Sequence, residues 1–168
     1  MKVSKSWLSD YVNTNDLSKE ALKERFTNQS QEVEAIYNLA DATGLKVGYT
    51  KTCEKHPDAD KLNVCEVDVG EENTRQIICG ASNVDGGQKV IVAVDGAVLP
   101  GNFKIEKAKL RGIESNGMIC SLTEIGIDHK YHQEEGIHVL PEDAPVGEDV
   151  LKYLHFDDAV IDLDLTPN

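Results

Sequence analysis

Apolar positions in this chain change period along its length, and the change marks the elements. In residues 1–39, Val3-Ser4 leads into Trp7, Leu8, Tyr11 and Val12, and Leu17-Ser18 leads into Ala21, Leu22, Arg25 and Phe26, both at helical spacing. Each serine is placed to accept from the free N–H groups of a first turn. The apolar residue before it is placed to staple onto the residue five later, Val3 on Leu8 and Leu17 on Leu22. Two short helices are predicted. After the polar break Asn28-Gln29-Ser30-Gln31, Val33 to Tyr37 reads as a strand.

From about Leu45 to Ser121 the helical period disappears. Short β-branched runs take over: Val47 to Cys53, Leu62 to Val69, Thr74 to Cys79, Lys89 to Val94, Phe103 to Leu110 and Met118 to Cys120. Turns are predicted at Pro57-Asp58, Gly70-Glu71, Asp85-Gly86-Gly87, Pro100-Gly101 and Asn116-Gly117. Cys65, Val67 and Val69 alternate with Glu66 and Asp68, as a half-buried strand requires. With no helical stretch between the strands, a small antiparallel barrel is expected. Beyond Ser121 come a turn at Thr123-Glu124-Ile125, a strand at Gly136 to Leu140, a helical turn at Val150 to Leu154, and an exposed or edge strand from Ala159 to Leu165. Residues 1–39 hold too little core to stand alone, so the tail is expected to pack on them. The organisation predicted is a discontinuous small α/β domain, 1–39 with 148–168, interrupted by a barrel at 40–147.

Composition narrows the chemistry. The 168 residues carry 17 basic and 30 acidic side chains, a net charge of −13, which opposes non-specific affinity for nucleic acid. The acidity is uneven, however: residues 112–168 hold two basic and thirteen acidic side chains, while the rest is near neutral. The longest apolar run, Val90 to Val94, is too short to cross a membrane, and Met1-Lys2-Val3-Ser4-Lys5 does not lead into a secretory signal. A cytoplasmic location is the expectation. With no Cys-x-x-Cys pair, Cys53, Cys65, Cys79 and Cys120 read as reduced, buried thiols rather than metal ligands or a disulfide framework. His129-Lys130-Tyr131-His132, beside Asp128, Glu134 and Glu135, falls in a polar loop of no defined ligand geometry. No phosphate-cradling glycine loop, H-E-x-x-H motif or paired nucleophile and base is present, so no catalytic residue and no metal site is assigned.

One basic stripe stands out. Lys104, Lys107, Lys109 and Arg111 are opposed locally only by Glu106, and in an extended strand Lys107, Lys109 and Arg111 share a face. They either track phosphates or form a solvated strand face. Lys55, His56 and Lys61 flank a turn that either lies near the same groove or is simply a polar hairpin turn. Tyr49 and Phe103 are the only aromatic residues in the strand-rich segment, which argues against base-specific reading.

Four ordered blocks carry a resemblance: Cys53-Glu54-Lys55-His56-Pro57-Asp58-Ala59-Asp60-Lys61-Leu62, Ile78-Cys79-Gly80-Ala81-Ser82-Asn83-Val84, Gly96-Ala97-x-Leu99-Pro100-Gly101, and Lys109-Leu110-Arg111-Gly112-Ile113-Glu114-Ser115-x-Gly117-Met118. They resemble the tRNA-binding OB-fold appended to several aminoacyl-tRNA synthetases. The opening Val3-Ser4-x-x-Trp7-Leu8-x-x-Tyr11-Val12, the run Leu140 to Gly147, and the ending Asp162-Leu163-Asp164-Leu165-Thr166-Pro167-Asn168 look like the N-terminal region of the bacterial phenylalanyl-tRNA synthetase β subunit.

The resemblance implies a mainly β chain with α+β flanks, in which an OB-fold, a five-stranded Greek-key barrel, is inserted into a small α/β domain. It implies a non-catalytic tRNA-binding and scaffolding region at the N-terminus of a longer ligase subunit, partnered by tRNA(Phe) and the α subunit of an α2β2 enzyme. ATP and Mg²⁺ are implied for the complete enzyme and none for this region; neither membrane nor DNA is a partner. Asn83 and Ser115, inside the matching blocks, join Lys55, His56, Lys61, Lys104, Lys107, Lys109 and Arg111 as candidate RNA-binding residues; Asn83 is alternatively a turn former. Two other readings stay open: a free-standing OB-fold RNA-binding or chaperone-like dimer, and a protein-interaction module that never touches RNA.

Overall fold

The computed structural model describes residues 1–29 and 32–165; the Thr166-Pro167-Asn168 ending and Ser30-Gln31 lie outside the described residues. In chain order the elements are β1 (Lys2–Ser4), α1 (Lys5–Ser9), α2 (Lys19–Asn28), β2 (Glu32–Asn38), β3 (Thr43–His56), β4 (Ala59–Asp68) and β5 (Arg75–Cys79). There follow β6 (Lys89–Leu99), β7 (Phe103–Lys104), β8 (Ala108–Leu110), β9 (Ile113–Ser115), β10 (Met118–Cys120), β11 (Val139–Leu140), α3 (Val150–Tyr153) and β12 (Ala159–Asp164). They divide into two compact units, Met1–Ala40 with the chain from His155 onward, and Asp41–Leu154.

In the smaller unit an antiparallel sheet runs β1-β12-β2, covered by the two capped helices. Ser4 Oγ accepts from the Trp7 N–H at 3.0 Å and Ser18 Oγ from the Ala21 N–H at 3.1 Å. Both staple pairs enter the core, where Val3, Leu22, Val33, Ile161 and Leu163 are buried and Leu8, Leu17, Phe26 and Ile36 pack against them. Helix α1 ends at Ser9; Trp7 within it and Tyr11 and Val12 beyond its end are exposed.

Strand β12 is the central strand of this sheet and not an edge, with Val3 opposite Ile161 on one side and Ile36 opposite Ile161 on the other. The alternation that suggested an edge is real, since Ala159, Ile161 and Leu163 are buried. It reports a sheet covered on one face, which leaves Asp162 and Asp164 on the other whatever the strand's position. Asp162 lies 3.8 Å from Lys2 Nζ.

Asp158, just before β12, accepts from the Ser6 N–H at 3.1 Å and from the Ser6 hydroxyl at 2.6 Å, tying α1 to the tail. Burial works against its charged form, but the Ser6 hydroxyl and N–H with further donors outweigh it and hold the carboxyl below the ordinary Asp value. A lowered folded-state pKa contributes stability that is present above the unfolded-state value and lost as pH falls through the folded one.

The larger unit is built on a sheet of order β10-β6-β3-β4-β5, with β7 and β11 also pairing with β6 and β8–β9 forming a separate hairpin. Across the gap, the outer strand β5 is joined to β9 and to the turn that leads from it into β10. The Asn116 N–H donates to the Gln76 carbonyl at 2.8 Å, the Ile78 N–H to Ser115 Oγ at 3.0 Å, and Gln76 Nε2 to the Glu114 carbonyl at 2.6 Å. The result is an OB-like barrel whose last seam is stitched by single bonds instead of a continuous ladder. Cys65, Val67, Val69, Ile77, Val90, Val92 and Ile119 fill its interior.

Helix α3, read from the sequence with the small domain, belongs to the larger unit. The reason is a strap onto β3: the Val47 N–H donates to the Glu148 carbonyl at 2.9 Å, and the Gly147 N–H to the Val47 carbonyl at 2.8 Å. Asp149 then caps α3 through the Leu151 N–H at 2.9 Å.

The cysteines do not all remain thiols. Cys53 and Cys65 face each other in the β3–β4 register, with Cα atoms 4.2 Å apart, and form a disulfide. Twelve residues separate them in sequence, and only the register of a hairpin with two irregularities makes them opposite. Cys79 and Cys120 are free and buried. Burial, reinforced by Glu124, pushes the Cys120 thiol up to about 12 and raises Cys79 as well.

Two outcomes are expected. Alkylation of denatured, unreduced protein should label Cys79 and Cys120 alone, with all four labelled after reduction; replacing Cys53 and Cys65 together by Ser should lower stability to urea by about 2–4 kcal/mol. In acid melts followed by the fluorescence of Trp7, the single tryptophan, D158N should lose the part of the stability decline that wild type shows below about pH 4; parallel curves would remove Asp158 from the account.

Candidate nucleic-acid interface

The basic stripe of the sequence is a bent hairpin. The predicted strand from Phe103 to Leu110 breaks because Ile105 is buried and bonded to β6, donating to the Ala97 carbonyl at 2.8 Å and accepting from the Gly96 N–H at 2.8 Å. The chain then leaves β6, and β8 pairs with β9 with Leu110 opposite Ile113. Arg111 and Gly112 form the two-residue turn, at φ of 49° and 86°. Both central residues of such a turn are left-handed, which Gly112 adopts without strain. Lys107 therefore precedes β8, Lys109 lies on it, and Arg111 stands at the hairpin tip. All three are exposed, but they do not share one strand face.

His56 joins this hairpin to another. It is buried at the end of β3, 4% exposed, where its Nδ1 accepts from the Asp58 N–H at 3.0 Å and its Nε2 lies 3.3 Å from the Leu110 carbonyl. Accepting at Nδ1 fixes the neutral tautomer with its proton on Nε2, the form that donates to Leu110. One ring thus ties the end of β3–β4, which carries the exposed Lys55 and Lys61, to the residue before Arg111.

Asn83, although exposed, and the buried Ser115 are likewise committed to the fold. Asn83 clamps Ile137 from 54 residues away, its Nδ2 donating to the Ile137 carbonyl at 2.8 Å and its Oδ1 accepting from the Ile137 N–H at 3.0 Å. Ser115, 4% exposed, accepts from Ile78 and donates to the Gly117 carbonyl at 3.1 Å. Of the nine candidates, then, His56, Asn83 and Ser115 hold the barrel's seams. Lys55, Lys61, Lys104, Lys107, Lys109 and Arg111 present charge to solvent. Lys104 lies 3.7 Å from Glu106, with both side chains over 60% exposed, a pairing too wet to neutralise it.

Sequence reasoning missed a recess of about 520 Å³ enclosed by Ile78, Phe103, Lys104, Lys107, Leu110 and Met118. Three separate segments wall it, and only their folding brings them together. The histidines near residue 130 take another course: Asp128 caps a short 3-10 helix, His129–Tyr131, and Nε2 of His129 and of His132 lie 3.3 and 3.2 Å from Thr123 Oγ1. Among the described residues, no three His, Cys, Asp or Glu side chains are grouped to hold a metal ion, and no helix is long and apolar enough to cross a membrane.

An OB-like barrel with two linked, lysine-bearing hairpins defines the class: a barrel equipped to meet a polyanion. The family model described as "Putative tRNA binding domain" matches residues 45–149, and the chain belongs to that family. Over its whole length it is 56% identical to the phenylalanine–tRNA ligase β subunit of Bacillus licheniformis and 52% identical to that of Halalkalibacterium halodurans. The chain spans 21% of the length of these curated relatives. Among solved structures, the C-terminal domain of Plasmodium vivax p43 aligns with 62% of this chain and 56% of its own at 29% identity, with a TM-score of 0.45.

Replacing Asn83 by Ala should leave both backbone groups of Ile137 without partners and cost about 1–3 kcal/mol, measured by urea denaturation. tRNA affinity at a temperature where the variant is folded should be unchanged; an affinity loss with full stability would make Asn83 a direct contact.

Proposed function

We propose that this chain is the tRNA-binding and scaffolding region of a phenylalanine–tRNA ligase β subunit, and that Lys55, Lys61, Lys104, Lys107, Lys109 and Arg111 carry its contacts to tRNA phosphates. The full-length identity of 52–56% to β subunits, with the barrel inside the tRNA-binding family, carries this reading. In it the chain contributes no chemistry of its own. It positions tRNA(Phe) for a longer β subunit assembled with α subunits as α2β2 in the cytoplasm, and that assembly charges the tRNA with phenylalanine. ATP and Mg²⁺ belong to that larger enzyme. The described residues do not fit them, because no carboxylate cluster is grouped for a cation and no glycine-rich loop opens a helix to cradle phosphates.

Phosphate contacts position the ligand without reading its sequence. His56 serves this reading as a positioning residue, since it sets the Arg111 turn against the Lys55 end. The domains 1–39 with 148–168 and 40–147 expected from sequence are proposed with boundaries moved to the junctions at 40/41 and 154/155.

Each phosphate contact removed lowers the dependence of log affinity on log salt by about one unit. The triple variant K107A/K109A/R111A should therefore flatten the salt dependence of tRNA binding by about two to three units while keeping the wild-type melting temperature. Equal slopes would transfer the barrel to the protein-interaction reading, and binding by neither protein would remove tRNA as the ligand.

A further inference from the structure

We infer that the recess walled by Phe103 is a stacking site for one unpaired nucleobase of the bound RNA. The inference rests on the tRNA-binding reading and names a contact within it that phosphate neutralisation does not supply. Phe103 is 59% exposed. Its neighbours on β6 and β7 do not need it for packing, because Ile105 supplies the buried side chain of this segment. Two other rings of the larger unit lie against a cation: Tyr49 beneath Lys89 Nζ at 5.7 Å, and Tyr131 beneath Lys130 Nζ at 4.8 Å. No such cation or ring partner is found for Phe103 among the described residues.

The position of the ring is fixed by pairing. Phe103 stands opposite Leu99 at the end of a tight turn on β6, so it is held out on a rigid hairpin and little freedom is lost on binding. Behind it the recess, about 520 Å³, has Ile78 and Met118 as an apolar floor and half-exposed Leu110 on its far side, and it exceeds the volume of a purine ring. Lys104 and Lys107 stand on its rim and Lys109 and Arg111 continue along the next hairpin. An apolar recess bordered by cations complements a base flanked by its phosphates, and it complements an apolar peptide poorly. Glu106, the one carboxylate lining the recess, is 3.7 Å from Lys104.

Stacking on an aromatic side chain is worth about 1–3 kcal/mol per base, roughly a 5- to 100-fold change in affinity, and it is insensitive to salt. The test measures binding of tRNA, and of a single-stranded RNA oligonucleotide carrying 2-aminopurine, to the wild-type chain and to F103A, F103L and F103W. Because Phe103 is exposed, all four should melt alike. F103A and F103L should weaken binding about 5- to 100-fold at an unchanged salt slope and abolish quenching of the probe, while F103W keeps both. F103L behaving as wild type in affinity and quenching would overturn the inference and leave the tRNA reading intact. Loss of self-association instead of RNA binding in F103A would assign the recess to a protein partner and also overturn it. A wild-type chain that binds neither RNA would fail at the tRNA reading itself.

Discussion

The larger unit depends on one strand changing partners. Over Thr43 to Tyr49, β3 pairs with β6; from Tyr49 to His56 it pairs with β4. The exchange happens beside Gly48, where a Cβ would come within 2.5 Å of a Val92 methyl and 2.9 Å of a Val67 methyl. Only a residue without a side chain lets β3 lie that close to the core, and the close approach lets the sheet turn a corner. Beyond the corner β3–β4 runs on as a hairpin no longer paired with β6. What is proposed about RNA is carried there, on the β8–β9 hairpin it touches, and on β7, which pairs with β6 and holds Phe103 and Lys104; the Cys53–Cys65 disulfide braces the stem of β3–β4 and His56 fastens its end to Leu110.

That arrangement explains how a chain of net charge −13 can meet a polyanion. At physiological ionic strength charges more than about 8 Å from a contact are largely screened, so the local sign matters more than the total. Lys104, Lys107, Lys109 and Arg111 stand with Glu106 and Glu114, Lys109 being opposite Glu114, so that segment keeps a small positive excess, while Lys55 and Lys61 are interleaved with Glu54, Asp58 and Asp60. The acidic groups otherwise concentrate in residues 112–168. Several of those are occupied structurally: Asp149 caps α3, Asp128 caps the 3-10 turn and Asp158 holds α1. These three carboxylates are thereby engaged in fastening caps and tail.

Elements set by local chemistry were legible in the sequence. Both serine caps and both staples are found where the spacing puts them, because a cap and its first turn lie within five residues of each other. The alternation of Cys65, Val67 and Val69 identified β4's buried face directly. What escaped depends on which strand lies beside which. Whether Asp162 and Asp164 sit on an edge or in the middle, whether Cys53 faces Cys65, and whether Phe103 to Leu110 remains one strand are all decided by partners far away in the chain. A basic residue at every second position looks the same in a straight strand and in one that folds at Ile105, and only the bonds of Ile105 to Gly96 and Ala97 separate the two.

The candidate site divides along the same line. Residue type and turn context picked out nine positions, but His56, Asn83 and Ser115 bond to backbone groups of the fold, His56 and Ser115 from buried positions, while the six cations face solvent. The division follows from hydrogen-bonding capacity. An imidazole, an amide and a hydroxyl can each donate and accept at once, which is what a seam between two backbones requires, and a lysine can only donate. The seam draws on such groups in Ser115 and Gln76, and beside them on a cation, Arg75, whose Nη1 donates to the Asn116 carbonyl at 3.4 Å. Lys55, Lys61, Lys104, Lys107, Lys109 and Arg111 reach past the backbone into solvent, whereas Lys89 is held by the fold, donating to the Ala144 carbonyl at 2.8 Å. What is left facing solvent at the candidate site is for that reason mainly charge, which can position a polyanion and has little capacity for reading base edges.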